Sequence, residues 1–356
     1  MQFGVSETLP ESHKQWIIPF AVQLIPSGLL LFGSIFIRES PRWLFGRGRR
    51  EEAVKNLCWI RQLPESDVYI VEEISTIDQA LEEQKAKIGA GFWKPFQAAS
   101  TNPRVMWRLF LGFMLFFWQN GSGINAINYY SPTVFKSIGI TGSLNQIMSG
   151  IFGVVKTVVT IIWMLFLVDH VGRRPLLLWG AISGSICLWI IGAYIQIENP
   201  SPNKESGLNN AGIMAIVFFY IYTACFSPSW NGTPWVLNSE MFDPNMRSLA
   251  QAVASSSNWL WNFLISRFTP QMFAQMEYGV YFFFASLMIG SIFFVFFLIP
   301  ETKSVPLEHM DRLFEQKPIW RAHGRVMQQL QEDDAEFRHE MDDKPREEFA
   351  ENALCT

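Results

Sequence analysis

Charge is what this sequence has least of. Asp, Glu, Lys and Arg make up 17% of its 356 residues, where a soluble domain carries about a quarter. The deficit is concentrated in stretches 16–37, 109–130, 147–168, 175–197, 211–237, 248–266 and 279–299, each almost free of charge. A helix needs about 20 apolar residues to cross a ~30 Å hydrocarbon core, so every one of these runs is long enough. Continuous runs of that length also exclude a membrane barrel, whose strands are about ten residues long and alternate in polarity. Cysteine is scarce as well. Cys58, Cys187, Cys225 and Cys355 have neither metal nor redox spacing, which excludes a disulfide framework and leaves free thiols. There is no basic excess: the net charge is -4, with the acids gathered in 51–83 and beyond 331, so a nucleic-acid-binding face is excluded. The five His are scattered, and no nucleophile–base grouping, metal spacing or phosphate loop is present, which argues against an enzyme and implies no cofactor. No cleavable signal peptide is visible, because residues 1–15 are polar and the first apolar run is long enough to span.

What is present reads as an all-α membrane protein with seven spans. Basic residues cluster after the first span (Arg38, Arg42, Arg47, Arg49, Arg50, Lys55) and in the loop 169–174 (Arg173, Arg174). The positive-inside rule then places those loops in the cytoplasm, with the N-terminus outside and the C-terminus inside. The reading divides the chain into an extracellular segment 1–15, a span 16–37, a cytoplasmic helical linker 38–104, a six-helix bundle 105–299 and a cytoplasmic tail 300–356, disordered after about 316. In the linker, Ala53, Val54, Leu57 and Ile60, then Ile70, Val71, Ile74, Ile77 and Leu81, recur at helical spacing and predict helices over 49–62 and 68–87.

Three features inside the spans are chemically unusual. The stretch "FFWQNGSGINAINYY" at 116–130 places Gln119, Asn120, Ser122, Asn125 and Asn128 in an apolar run. Amides donate and accept hydrogen bonds and suit a polyhydroxylated ligand. They also serve as glue between helices; Gly121 and Gly123, which loosen the helix, favour a cavity wall. In "FSPSWNGTPWVLNSE" at 226–240, Pro228, Gly232 and Pro234 interrupt a span. Broken helices at mid-membrane depth mark binding sites and hinges, although a kinked packing helix has the same sequence signature. Lys156 is the only charge in "IMSGIFGVVKTVVTIIWMLFLV" and sits near its middle. Its ammonium is too deep to snorkel easily, which implies an intramembrane partner. No other span of this sequence holds an Asp or Glu in its interior. The partner is a substrate carboxylate or an acid outside this sequence, or else the lysine is neutral. Glu39 and Arg42, Asp169 with Arg173 and Arg174, Glu240 and Arg247, and Glu301 lie where spans meet the cytoplasm. They form either an inner-gate network or simple positive-inside anchoring.

Six motifs in order carry a resemblance: "RESPRWLFGRGRREEA", "QNGSGINAINYYSPTVF", "DHVGRRP", "GTPWVLNSEMFDPNMRS", "SNWLWNF" and "PETKSVPLEHMDRLF". Over about residues 1–315 the sequence resembles the C-terminal part of a sugar porter of the major facilitator superfamily, with wording nearest the fungal quinate permeases. The resemblance implies a partial major facilitator fold whose seven spans correspond to the sixth to twelfth, the first five not being in this sequence. It implies sugar-contacting amides at Gln119, Asn120 and Asn125, gating aromatics at Tyr129 and Tyr130, a substrate-stacking ring at Trp235 and a cavity pair at Asn258 and Trp259, with Asn262 one turn along. It favours the gate network over anchoring, with one departure: Arg38 stands where the family usually has Pro. Hexose members usually carry an uncharged amide near Lys156, so a cation there suits a hydroxylated carboxylate such as quinate.

The expected function is alternating-access transport of quinate or a related acid across the plasma membrane, with proton coupling implied by the family. The alternatives are a sugar or polyol transporter and a non-transporting nutrient sensor on the same fold. A seven-helix receptor is disfavoured by the long linker and the ordered motifs. Half of a rocker-switch would expose its amides and Lys156 to lipid, so the sequence alone is also expected to be unstable without a partner half.

Overall fold

The computed structural model describes residues 13–88, 94–137, 143–198, 210–242, 244–305 and 310–343. They fold into helices, with no strand among the described residues. The chain divides into two compact units, residues 1–102 and 103–356.

The first unit opens with α1 (Lys14–Phe36), whose apolar residues are almost all exposed. A helix that hydrophobic and that unburied requires an apolar solvent. It is followed by α2 (Pro41–Gly46), α3 (Arg50–Arg61), α4 (Val68–Ile88) and α5 (Lys94–Thr101). The helices expected at 49–62 and 68–87 are therefore α3 and α4. Their apolar stripes close a small core in which Leu44, Phe45, Ala53 and Val54 are buried against Ile74, Ile77 and Leu81. Ion pairs Arg50–Asp78 and Arg61–Glu73, both 2.7 Å, tie α3 to α4 at the surface, where each contributes at most about 1 kcal/mol.

The second unit is a bundle of longer helices: α6 (Pro103–Gly121), α7 (Ile124–Ser137), α8 (Ser143–Ile162), α9 (Arg173–Glu198), α10 (Asn210–Phe226), α11 (Thr233–Glu240), α12 (Pro244–Met276) and α13 (Gly279–Leu298). Two π turns interrupt it. One, Trp163–Leu167, extends α8 into a last α turn Val168–Val171; the other, Ser227–Asn231, joins α10 to α11. The main packing is α9 against α13 and α10, and α6 against α12. Small residues permit this closeness. A Cβ on Gly180 would collide with Ser229, and one on Gly184 with Met288; the two glycines are one turn apart on α9.

Five helical segments of the described residues are long and apolar enough to cross a membrane: Ile17–Phe36, Leu144–Leu167, Arg173–Glu198, Asn210–Glu240 and Gly279–Leu298. The two other expected spans take a different form. The run 109–130 is divided between α6 and α7 at Gly123, whose φ of +83° ends the first helix. The run 248–266 lies within the 33 residues of α12, which is longer but diluted by serines, asparagines and arginines.

The tail also departs from expectation. Instead of lacking structure beyond 316, residues Ile319–Asp343 form α15, which follows the short α14 (Met310–Glu315). The reason is an apolar stripe at four-residue spacing. Ala322 and Val326, with Leu330 beside them, are packed on Val305, Met310 and Leu313. Trp320 stacks on Phe296 of α13 at 5.9 Å, which fastens the start of α15 to the bundle. Residues 344–356 and 1–12 lie outside the described residues.

Candidate functional site

The break at Gly123 assembles the site. A Cβ there would lie 2.7 Å from the Phe284 ring, so the positive φ and the close approach both require glycine. Ending α6 at that point turns its last amides towards the other helices. Asn125 Nδ2 donates to Asn120 Oδ1 at 2.5 Å, and Asn120 Nδ2 in turn donates to Asn258 Oδ1 at 3.1 Å and to the Phe116 backbone carbonyl at 2.8 Å. Three amides from α6, α7 and α12 thus form one chain. Asn120 is fully buried, whereas Asn125 and Asn258 are half-buried. The chain therefore runs from the core to an accessible surface.

Gln119 has a second partner set. Its Nε2 donates to the carbonyls of Trp230 at 2.7 Å and Asn231 at 3.1 Å. Both belong to the π turn, where wider winding releases carbonyls from the helical ladder. Its Oε1 is buried and has no hydrogen-bond partner among the described residues. The opposite π turn meets this one directly: the Trp163 ring lies where a Cβ on Gly232 would stand. Trp235, one turn beyond, is half-buried and edge-packed on Phe116 at 4.5 Å.

Lys156 projects from α8 into the same region. Its Nζ reaches Asn128 Oδ1 at 3.5 Å, a weak contact, and it is half-buried. No carboxylate pairs with it among the described residues. One turn later Thr160 accepts from Asn231 at 3.2 Å. A polar stripe therefore runs from Asn128 past Lys156 and Thr160 to Asn231, and from there to Gln119. Thr160 escaped the sequence reading, because a single threonine in an apolar helix carries no signal until its partner is known.

From the middle of α7 the two tyrosines reach α12. The Tyr130 hydroxyl donates to the Ser266 carbonyl at 3.1 Å, and Asn262 donates to the Tyr129 hydroxyl at 3.5 Å. Tyr130 itself is non-helical (φ -116°, ψ 24°), two residues before Pro132, so α7 bends where the rings project. Trp259, on α12 beside Asn258, is 67% exposed. The structure thus gathers Gln119, Asn120, Asn125, Lys156, Trp235 and Asn258 into one polar-lined region, while Trp259 faces outward.

At the other ends of the helices the charged residues pair differently from their sequence order. Arg173, not Arg247, holds Glu240: Nη2 and Nε reach Oε1 at 2.7 and 3.1 Å. Thr302, absent from the sequence reading, donates to the other Glu240 oxygen at 2.6 Å. Glu301 accepts the backbone N–H groups of Arg173, Arg174, Thr302 and Lys303 at 2.9–3.1 Å. That carboxylate sits at the N-terminus of α9, where unpaired N–H groups and the helix dipole favour an anion. Gly172, with φ +96°, lets it approach, since a Cβ would lie 2.8 Å from a carboxylate oxygen. Arg174 donates to the Phe296 carbonyl. Arg247 is half-buried, with Nε unpartnered among the described residues. Glu39 and Arg42 belong to the first unit, where the Glu39 carbonyl accepts from Asn56. The Asp169 side chain lies outside the described residues.

Comparison with known proteins gives a consistent picture. Residues 1–314 match the family model described as "Sugar (and other) transporter". The chain is 72% identical over 342 residues to a protein of Aspergillus flavus named "Probable quinate permease", covering 96% of this chain and 64% of the relative. It is 68% identical over 355 residues to the protein of the same name from Aspergillus clavatus, covering 99% and 66%. The chain thus spans a little under two thirds of the length of these relatives. Among solved structures, it superposes on the proton:xylose symporter XylE bound to 6-bromo-6-deoxy-D-glucose, with a TM-score of 0.67 and 26% identity over 88% of this chain and 62% of that one. A partially occluded, inward-open form of XylE from E. coli gives 0.64 at the same identity. With the helical fold, the membrane-length segments and the family match all in agreement, the chain belongs to the sugar transporter family of the major facilitator superfamily.

Proposed function

We propose that this chain forms the larger part of a secondary active transporter that moves quinate or a related hydroxylated carboxylate by alternating access, coupled to protons. The observation that carries the substrate assignment is Lys156. A lysine ammonium deep in a span needs an anionic or strongly polar partner, and among the described residues only the Asn128 amide, at 3.5 Å, is in reach. A carboxylate on the solute supplies that partner. The amides of Asn125, Asn258 and Gln119 supply donors and acceptors for its hydroxyls, and Trp235 offers a ring face for its carbocycle.

The names of the Aspergillus relatives support quinate, and the description of XylE as a proton symporter supports the coupling. In this reading Tyr129 and Tyr130 close the outer side, while Arg173, Arg174, Glu240, Arg247 and Glu301, with Asp169, Glu39 and Arg42, hold the inner side shut. The protein sits in the plasma membrane, with the Arg-rich loops cytoplasmic and the start of the chain outside. The amide wall by itself suits a neutral sugar or polyol equally well, so the decisive test compares solutes. The chain is joined to the part of the A. flavus relative with which it does not align and expressed in yeast. Labelled quinate should enter, excess quinate should compete, and excess glucose or xylose should not. Sugar uptake with no quinate uptake would contradict the assignment. Quinate-dependent signalling without uptake would indicate a sensor.

A further inference from the structure

The start of α9 and the middle of the first turns of α15 enclose a groove of about 560 Å³. It belongs neither to the polar region between α6, α8 and α12 nor to the Arg173–Glu240 pair. Its lining is chemically mixed. Arg174 and His323 are polar, and Trp179, Ile182 and Trp320 apolar. Glu301 also borders it, but its two oxygens are already taken by four backbone N–H groups. The groups left over are elsewhere: Nε of Arg174, a donor, and Nδ1 of His323, which donates in one imidazole tautomer, are buried and have no hydrogen-bond partner among the described residues.

The apolar lining does not stop at the groove. Trp179 is 71% exposed, and Ile182, Ile186 and Trp189 continue the same outward stripe of α9 at helical spacing, each at least 42% exposed. That stripe faces hydrocarbon if α9 crosses the membrane. The groove sits at its end, at the level where tryptophans gather at membrane–water interfaces.

We infer that this groove holds one anionic phospholipid of the cytoplasmic leaflet. The headgroup phosphate accepts from Arg174 and His323, the glycerol region lies between Trp179 and Trp320, and an acyl chain follows Ile182 and Ile186. Three features select a lipid over a soluble anion: the tryptophan pair, the apolar stripe running on from the groove, and the anionic character of that leaflet. The lipid would tie α15 to α9 without a covalent link. The inference rests on the orientation proposed above, with the start of α9 on the cytoplasmic side of a membrane, and not on what the chain transports.

The test uses the chain joined to the part of the A. flavus relative with which it does not align, purified in mild detergent and titrated with dioleoyl phosphatidylserine or with the phosphatidylcholine of identical chains, and native mass spectrometry counts the bound lipids. The first phosphatidylserine should bind about tenfold more tightly than phosphatidylcholine. Gly324→Leu fills the groove from a position where an added Cβ meets no atom within 4 Å. It should abolish that preference while helix content and thermal midpoint stay unchanged. His323→Leu should weaken the first phosphatidylserine about threefold or more, and it decides the matter should the leucine variant misfold. Millimolar inorganic phosphate should displace none of the lipid. Equal binding of the two lipids, an undiminished preference in both variants, or displacement by phosphate would overturn the inference.

Discussion

At Gly123 a single missing side chain decides where α6 ends and α7 begins. Its φ of +83° and the Phe284 ring both exclude a Cβ, while at Gly121 an added methyl would meet Leu287 at an ordinary 3.5 Å. Gly123→Ala should therefore cost about 1–3 kcal/mol and lower the thermal midpoint in detergent by several degrees. Gly121→Ala should leave it within a degree or two. Equal effects of the two would mean that the break is not set by Gly123. The amides around that break were legible in the sequence as a class, since polar residues in an apolar run must find partners. Their pairing was not. Gln119 holds Trp230 and Asn231, more than a hundred residues away, and no local pattern encodes such a contact. The sequence leaves these amides open between ligand contact and glue between helices, and Gln119 has features of both: its nitrogen is engaged in the π turn, and its Oε1 has no partner among the described residues.

Among the elements, the charged ends of α9, α11 and α13 form a unit that motif order alone does not show. Glu240 and Arg247 lie seven residues apart and suggest a local pair, but the chain turns between α11 and α12 and Arg173 of α9 takes the carboxylate instead. The Arg173 and Glu240 side chains are 11% and 19% exposed, so their pairing is screened less than a surface ion pair. Two guanidinium nitrogens reach one carboxylate oxygen, a geometry that an ammonium cannot reproduce. Arg173→Lys should therefore destabilise the protein by about 1–3 kcal/mol despite keeping the charge, and Thr302→Val by about 1 kcal/mol. Thermal unfolding of the purified variants measures both; a neutral Arg173→Lys would show that charge alone suffices. The tail helix α15 was missed for a related reason. Ala322, Val326 and Leu330 form a stripe with only one large aliphatic per turn, which composition averages away among the surrounding charges.

On the scale of the whole molecule, burial is one-sided. The Leu144–Leu167 segment has only 11% of its most apolar window buried, yet it carries Lys156, and Asn125 and Asn258 nearby are half-buried. Polar groups left facing hydrocarbon cost several kcal/mol in all. The chain expressed alone should therefore show less than about a tenth of the quinate uptake of the chain joined to the unaligned part of its A. flavus relative. Comparable uptake by the two would mean that the exposed face needs no cover. The helical membrane architecture was legible from charge-free runs of span length, because a bilayer imposes that length on any helix that crosses it.

The central claim is that the Lys156 ammonium distinguishes an acid from a neutral polyol. The direct measurement is uptake of labelled quinate against its uncharged amide by the joined chain, with Lys156 intact and with Lys156→Gln. The account predicts at least a tenfold preference for quinate in the first case, equivalent to about 1.4 kcal/mol, and a loss of most of it in the second, with the protein still folded and the amide still carried. A preference for quinate that survives Lys156→Gln undiminished would contradict it.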